Sequence, residues 1–156
     1  MATTDGFLYD QAIYHCAYLK DKKTQAKVSV FATGKMICIG AKSLEAAKQD
    51  LNYTARRLAE LRLISPTKIV VKLQNIVATA DLGQSVNLES IASKLPHVIY
   101  EPEQFPGAIY YAKELEGASI LIFTNGKVVF VGLKRQELLE AAKRLIVQLA
   151  QQIEWT

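Results

Sequence analysis

His15, Cys16 and Cys38 are the side chains best able to do covalent chemistry, and as a thiol nucleophile with its base they lack any local signature. Two cysteines with no metal-ligand spacing argue for neither a zinc site nor a disulfide framework, so a reducing compartment is expected. His97 stands between Pro96 and Val98 and reads as a loop residue. The Gly-Lys pairs at 34-35 and 126-127 lack the glycine spacing of a phosphate-binding loop. No catalysis, no cofactor and no metal are therefore expected. The chemistry left to this chain is non-covalent.

With 156 residues, half of them hydrophobic, the chain can bury a real core as one domain or two small fused halves. The net charge of +4 permits nucleic-acid binding without demanding it. Its distribution says more, because residues 1–66 carry ten Lys/Arg against six Asp/Glu, while residues 67–156 carry nine of each. A solvated helix face bearing Lys48, Arg56, Arg57 and Arg62 accounts for much of that excess. Apolar runs such as Ile69–Leu73 and Ile120–Phe123 fall far short of the roughly 20 residues that cross a bilayer, and the N-terminus lacks a basic leader. A soluble, intracellular protein is expected.

An internal repeat organises the chain. Phe31-Ala-Thr-Gly34-Lys35-Met-Ile-Cys-Ile-Gly40-Ala-Lys42 is echoed 92 positions later by Phe123-Thr-Asn-Gly126-Lys127-Val-Val-Phe-Val-Gly132-Leu-Lys134. Upstream, Ala12-Ile13-Tyr14 matches Ala108-Ile109-Tyr110 at an offset of 96, which makes the intervening loop four residues longer in the first copy. Two copies with so long a period read as a duplicated domain, not a solenoid.

The elements that must position any site follow from local pattern. Ala12–Leu19 and Ala108–Lys113 read as strands, Lys27–Phe31 and Ser119–Phe123 as their partners, and Thr33-Gly34 and Asn125-Gly126 as tight turns into a third strand. Ser43 is placed to cap a helix whose apolar positions run from Leu44 to Leu61, and Leu138 to Ile153 repeat that pattern in the second copy. The second copy also has a front half: a long strand over Lys68–Ala80 and a short helix over Asn87–Leu95, with Asn87 as cap. Only eight residues precede Tyr9, so the first copy, residues 1–66, lacks that front half, whereas residues 67–156 form a complete repeat.

The runs Lys72-Leu-Gln-Asn75-Ile-Val77-Ala-Thr79, Tyr100-Glu-Pro-Glu103-Gln-Phe105-Pro-Gly107-Ala-Ile-Tyr110 and Ile120-Leu-Ile-Phe123-Thr-Asn-Gly126-Lys127-Val-Val resemble the second repeat of the TATA-binding protein family. The resemblance runs from about Tyr9 to Ile153 and is densest from Lys68 to Lys134. It implies an α+β saddle, a curved antiparallel sheet with its concave side on DNA and its helices on the convex side. It also implies a transcription-initiation role: the minor groove of A/T-rich promoter DNA is opened and bent by aromatic wedges, and transcription factor B is recruited. The lack of a low-complexity N-terminal extension points to an archaeal-type member, cytoplasmic and on the nucleoid; a eukaryotic member would be nuclear.

Carried over residue by residue, the resemblance makes Phe105 and Phe123 the wedge pair of the second repeat. In the first repeat Phe31 aligns with Phe123, and Tyr9, or Phe7 if the alignment slips by two, stands at the other wedge position. Taken alone, each phenylalanine reads as a core residue. Asn75, with Val77 and Thr79, falls on the strand that runs along the groove centre, where an amide can bond the acceptors of A·T pairs; a strand-edge amide bonding its own backbone is the plainer reading. Leu121, Ile39 and Val131 add apolar groove contacts, the last two where the family usually has Thr. Lys35, Lys42, Lys127 and Lys134, with Thr33 and Asn125 in the turns, would meet phosphate. The family's arginine after the Ile-Tyr motif is replaced by His15 and Tyr111. Glu101 and Glu103 match the acidic stirrup that docks transcription factor B, although a solvated loop would also carry them. The alternative is a paralogue impaired in DNA binding that acts as an interaction module, with a homodimer formed through the sheet edge that the missing strand uncovers.

Overall fold

Each half is built on a hairpin closed by a glycine in the left-handed region, and the turn chemistry explains why the chain reverses there. Gly34 (φ +80°) and Gly126 (φ +78°) donate their N–H groups to Phe31 and Phe123 O, each at 2.9 Å. Asn125 Oδ1 accepts from Lys127 N at 3.1 Å and fixes the second turn from the side. In this computed structural model residues 2–4, 6–10, 12 and 15–151 are described, and they form two compact units, Met1–Lys72 and Leu73–Thr156. The boundary falls six residues after the division at 66/67 expected from the repeat.

The first unit carries β1 (Ala2–Thr4), β2 (Phe7–Tyr9), β3 (Cys16–Leu19), β4 (Lys27–Phe31), β5 (Met36–Ile39) and helix α1 (Leu44–Glu60). The second carries β6 (Ile76–Asp81), α2 (Leu88–Lys94), β7 (Val98–Ile99), β8 (Gly107–Tyr110), β9 (Ser119–Phe123), β10 (Lys127–Leu133) and α3 (Gln136–Ala150). Both sheets are antiparallel, in the orders β1-β2-β3-β4-β5 and β6-β10-β9-β8-β7. The caps anticipated from sequence are in place: Ser43 accepts from Ala46 N and Asn87 from Ser90 N. The anticipated Ile153 lies outside the described residues, and α3 starts at Arg135 without a side-chain cap bond.

Strand pairing corrects the register of the two copies. Cys16 pairs with Phe31 as Gly107 pairs with Phe123, and Ala17 pairs with Val30 as Ala108 pairs with Ile122. The offset is therefore 91 for β3, not 96, and the loop before β4 is one residue shorter in the first copy instead of four longer. Ala12 belongs to a turn, its N–H bonded to Asp10 Oδ1 at 3.1 Å, so the strand starts at Cys16 and not at Ala12; Ile13 and Tyr14 lie outside the described residues. Likewise β8 stops at Tyr110, because Lys113–Leu115 coil into a single 3-10 turn that buries Leu115. The long strand expected over Lys68–Ala80 also shortens. Leu133, the last residue of β10, lies opposite Ile76, so residues 68–75 have no strand beside them to complete a ladder among the described residues.

The helices cover one face of each sheet. In the second unit Ala108, Ile120, Ile122, Val128 and Leu133 are fully buried with Leu115 and with Ala142 of α3. The first unit has a smaller cluster, Phe7, Leu19 and Leu58, and uses polar ties as well. Buried Asp50 of α1 accepts from Gln25 N (3.1 Å) and Ala26 N (2.8 Å), and the Thr54 hydroxyl donates to Asp50 O at 2.8 Å. Tyr53 OH donates to Asp21 Oδ2 at 2.5 Å; that bond, then the one from Lys23 N, holds the Asp21 carboxyl below its usual range.

Asp50→Ala leaves two backbone N–H groups without their acceptor and should cost about 1–3 kcal/mol in urea unfolding; an unchanged midpoint would show that water replaces the carboxylate. A Cβ at Gly34 meets nothing within 4 Å, so Gly34→Ala should cost only the left-handed penalty of roughly 1–2 kcal/mol. At Gly126 the same atom would sit 2.1 Å from Gln84 O, and Gly126→Ala should be clearly worse by the same measurement. Equal losses would mean that the Gln84 backbone yields freely.

Candidate nucleic-acid interface

Alternation along the strands leaves the second face of each sheet without a covering helix. In the second unit the pairs Ile99–Ile109, Ile109–Leu121, Leu121–Val129 and Val129–Thr79 run as one row across all five strands. These side chains are exposed or half-buried, and Val77, two residues along β6 from Thr79, is 58% exposed. So broad a strip of Ile, Leu and Val kept at the surface marks a contact surface. Asn75 is exposed just before β6, on no strand.

At one end of this face Phe105 and Phe123 meet in a T-shaped contact, ring centroids 5.8 Å apart and planes at 62°. Phe123 ends β9; Phe105 follows a turn in which Gln104 N and Phe105 N both donate to Glu101 O at 2.9 Å. Gly107 makes room for the pair. A Cβ there would lie 2.9 Å from Phe105 Cε1, 3.1 Å from Phe123 Cε1 and 3.0 Å from Ile122 O. Both rings are half-buried, accessible yet seated on backbone.

The first unit repeats this plan with differences. Leu8, Tyr18, Ser29 and Ile37 form the equivalent row, Ile39 is 62% exposed beyond it, and Phe31 ends β4 opposite buried Cys16. Lys27 Nζ stands 4.0 Å from the centroid of the Tyr18 ring, placing a cation against this face. Tyr9 does not join the face. It pairs with Ala17 and shares the parity of Phe7, whose side chain packs under α1. In the corrected register Tyr9 corresponds to Tyr100, and the sequence position matching Phe105 is Tyr14, outside the described residues. The residue matching Tyr111 is exposed Lys20, not His15, so one basic position is regained.

The remaining expected contacts are exposed at turns and strand ends: Thr33, Lys35, Asn125 and Lys127 at the hairpins, Lys42 and Lys134 just ahead of α1 and α3. The Asn125 carbonyl is engaged by Lys127 N, which leaves its amide N–H₂ to donate outward. Lys127 lies opposite Asp81, which tempers its charge. Val131 is half-buried beside Ser119, next to the bulge at Gly132. Glu101 and Glu103 are exposed in the turn before Phe105. Sequence reasoning missed Val129, Ile109 and Ile99, although counting by twos from Lys127 to Val131 would have found the first. The thiol reading loses ground, because Cys16 is buried, and burial, with Asp50 adding to it, pushes the Cys38 thiol up.

The sheet of the second unit is covered by helices on one side and is bare, apolar and phenylalanine-tipped on the other. The sequence matches the family model of Transcription factor TFIID (or TATA-binding protein, TBP) over residues 2–61 and 70–153, and the chain belongs to that family of DNA-binding transcription factors. It is 38% identical over 136 residues to the TATA-box-binding protein of Cenarchaeum symbiosum, covering 86% of this chain and 74% of the relative. It is 41% identical over 119 residues to that of Methanothermobacter thermautotrophicus, covering 76% of this chain and 64% of the relative, just under two thirds of that protein's length. Its fold superimposes on Methanococcus jannaschii TBP with a TM-score of 0.79 and 32% identity, over 95% of this chain and 84% of that one. No helix among the described residues is long and apolar enough to cross a membrane.

Gly107→Ala should displace the ring pair, shifting the aromatic NMR signals of Phe105 and Phe123 while the β8–β9 amides keep their exchange protection, at a stability cost of about 1–3 kcal/mol. Unmoved ring signals would show that the backbone, not the rings, gives way.

Proposed function

We propose that this chain is a transcription initiation factor that binds the minor groove of A/T-rich, TATA-box promoter DNA and bends it. The observation that carries this reading is the bare apolar row of the second unit, with the Phe105–Phe123 pair at one end of the same face, in a chain of this family. Minor-groove floors are narrow and A·T steps lack the guanine amino group, so a flat surface of Val, Leu and Ile can press against them once the groove is widened. Phe105 and Phe123, with Phe31 in the first unit, wedge between base steps; an apolar ring does so without stranding a polar group. Val77, Thr79, Leu121, Val131 and Ile39 press on the groove floor, and Asn75 supplies an amide to its acceptors. With Ile39 and Val131 in place of hydroxyl residues, discrimination rests more on the ease of deforming the site.

Lys35, Lys42, Lys127 and Lys134, with Thr33 and Asn125, hold the phosphate rails and fix register without reading sequence. Glu101 and Glu103 offer a basic partner, transcription factor B, a charged landing point beside the wedge. The role belongs on the nucleoid of an archaeal-type cell. A second reading, homodimerisation, is favoured by β5, which among the described residues is bonded only to β4 where the equivalent β10 also has β6, and whose Ile37 and Ile39 are exposed.

Fluorescence-detected bending of a doubly labelled TATA duplex, beside a G·C-rich control, tests the main reading. The wild-type chain should bend the TATA duplex selectively, and Phe105→Ala/Phe123→Ala should lose bending and at least about tenfold in affinity, since each wedge trades a few kcal/mol of unstacking for wrapped surface. Binding indifferent to sequence and to the double substitution would sink it. Sedimentation of the free chain decides the dimer: a monomer at all accessible concentrations removes that second reading.

A further inference from the structure

In the first unit an apolar groove of about 400 Å³ is lined by Tyr9, Ala17, Val30, Met36, Leu58 and Ile64, and Phe31 lines it as well. A cavity of that size holds several aliphatic side chains. Its floor has counterparts in the second unit. By strand register Ala17, Val30 and Met36 correspond to Ala108, Ile122 and Val128, and those three are 0% exposed. They share a buried cluster with Val86, Leu88 and Ile91, the segment that leads into and forms α2. Among the described residues of the first unit nothing corresponds to α2, and Ala17, Val30 and Met36 are left half-exposed. The second copy thus shows what kind of chain completes this floor: a capped helical turn with apolar residues three apart.

Charge narrows the occupant further. His15 lines the groove, and Lys35, Arg62 and Lys68 adjoin its lining residues in sequence, all exposed. On the acidic side stand Asp10 and Glu60, and Glu60 is paired with Arg57 at 2.7 Å. We infer that this groove docks a short acidic amphipathic helix of a partner protein, whose two apolar side chains one turn apart take the place that Leu88 and Ile91 hold in the second unit.

The test uses the full chain, methyl-labelled for NMR, and a synthetic peptide of the sequence of residues 81–95 carrying Lys94→Glu. Expected are saturable shifts of the Ala17, Val30, Met36 and Leu58 methyls with a dissociation constant of about 1 mM or tighter. Leu88→Asp/Ile91→Asp in the peptide should abolish them. Ile64→Asp in the chain, at a surface position on the groove wall, should weaken binding about tenfold, and added salt should weaken it too. No saturable shift, shifts outside the groove methyls, or binding retained by the doubly substituted peptide would overturn the proposal. So would concentration-dependent shifts of the same methyls without peptide, which would make a second copy the occupant.

Discussion

The register of the β9–β10 hairpin is the constraint on which the second unit depends. A slip of one residue would carry Ile122, Val128 and Phe130 from under the helices to the bare face and send Leu121, Phe123 and Val129 inward. Gly126 makes that slip costly, because its left-handed turn sits against the Gln84 carbonyl with no room for a side chain. The segment 82–86 is bonded onto the same turn through Leu82 N to Gly126 O and Val86 N to Thr124 O, each 2.9 Å. One glycine therefore sets the strand pairing, the approach of α2 and the choice of surface side chains together.

Much of this was readable from residues alone, and the exceptions have physical causes. Thr33-Gly34 and Asn125-Gly126 mark the hairpins because left-handed turns tolerate few residues besides glycine, and Ser43 and Asn87 mark helix starts because their side chains replace missing backbone acceptors. The copy register was misread because Ala-Ile-Tyr recurs by chance at 96, whereas the true equivalents over β3 share little beyond Ala17 and Ala108. Tyr9 was misplaced as a result. Residues 68–75 have the composition of a strand, but a strand also needs a neighbour, and local composition does not report one.

The two copies differ on their bare faces. The second offers a bare face of Ile, Leu and Val with two touching rings; the first offers Tyr18 under a lysine, and a buried Cys16 where the second has Gly107. The two related halves therefore present unequal surfaces.

Divergence also reaches the helix undersides. At matching positions α1 buries Asp50 and Thr54 and α3 buries Ala142 and Ile146. A duplicated chain risks assembling with its helices exchanged, each on the other copy's sheet. Here the exchange would bury the Asp50 carboxylate over an aliphatic floor and leave the Gln25 and Ala26 N–H groups facing hydrocarbon, two penalties at once. The polar pair thus disfavours that exchange.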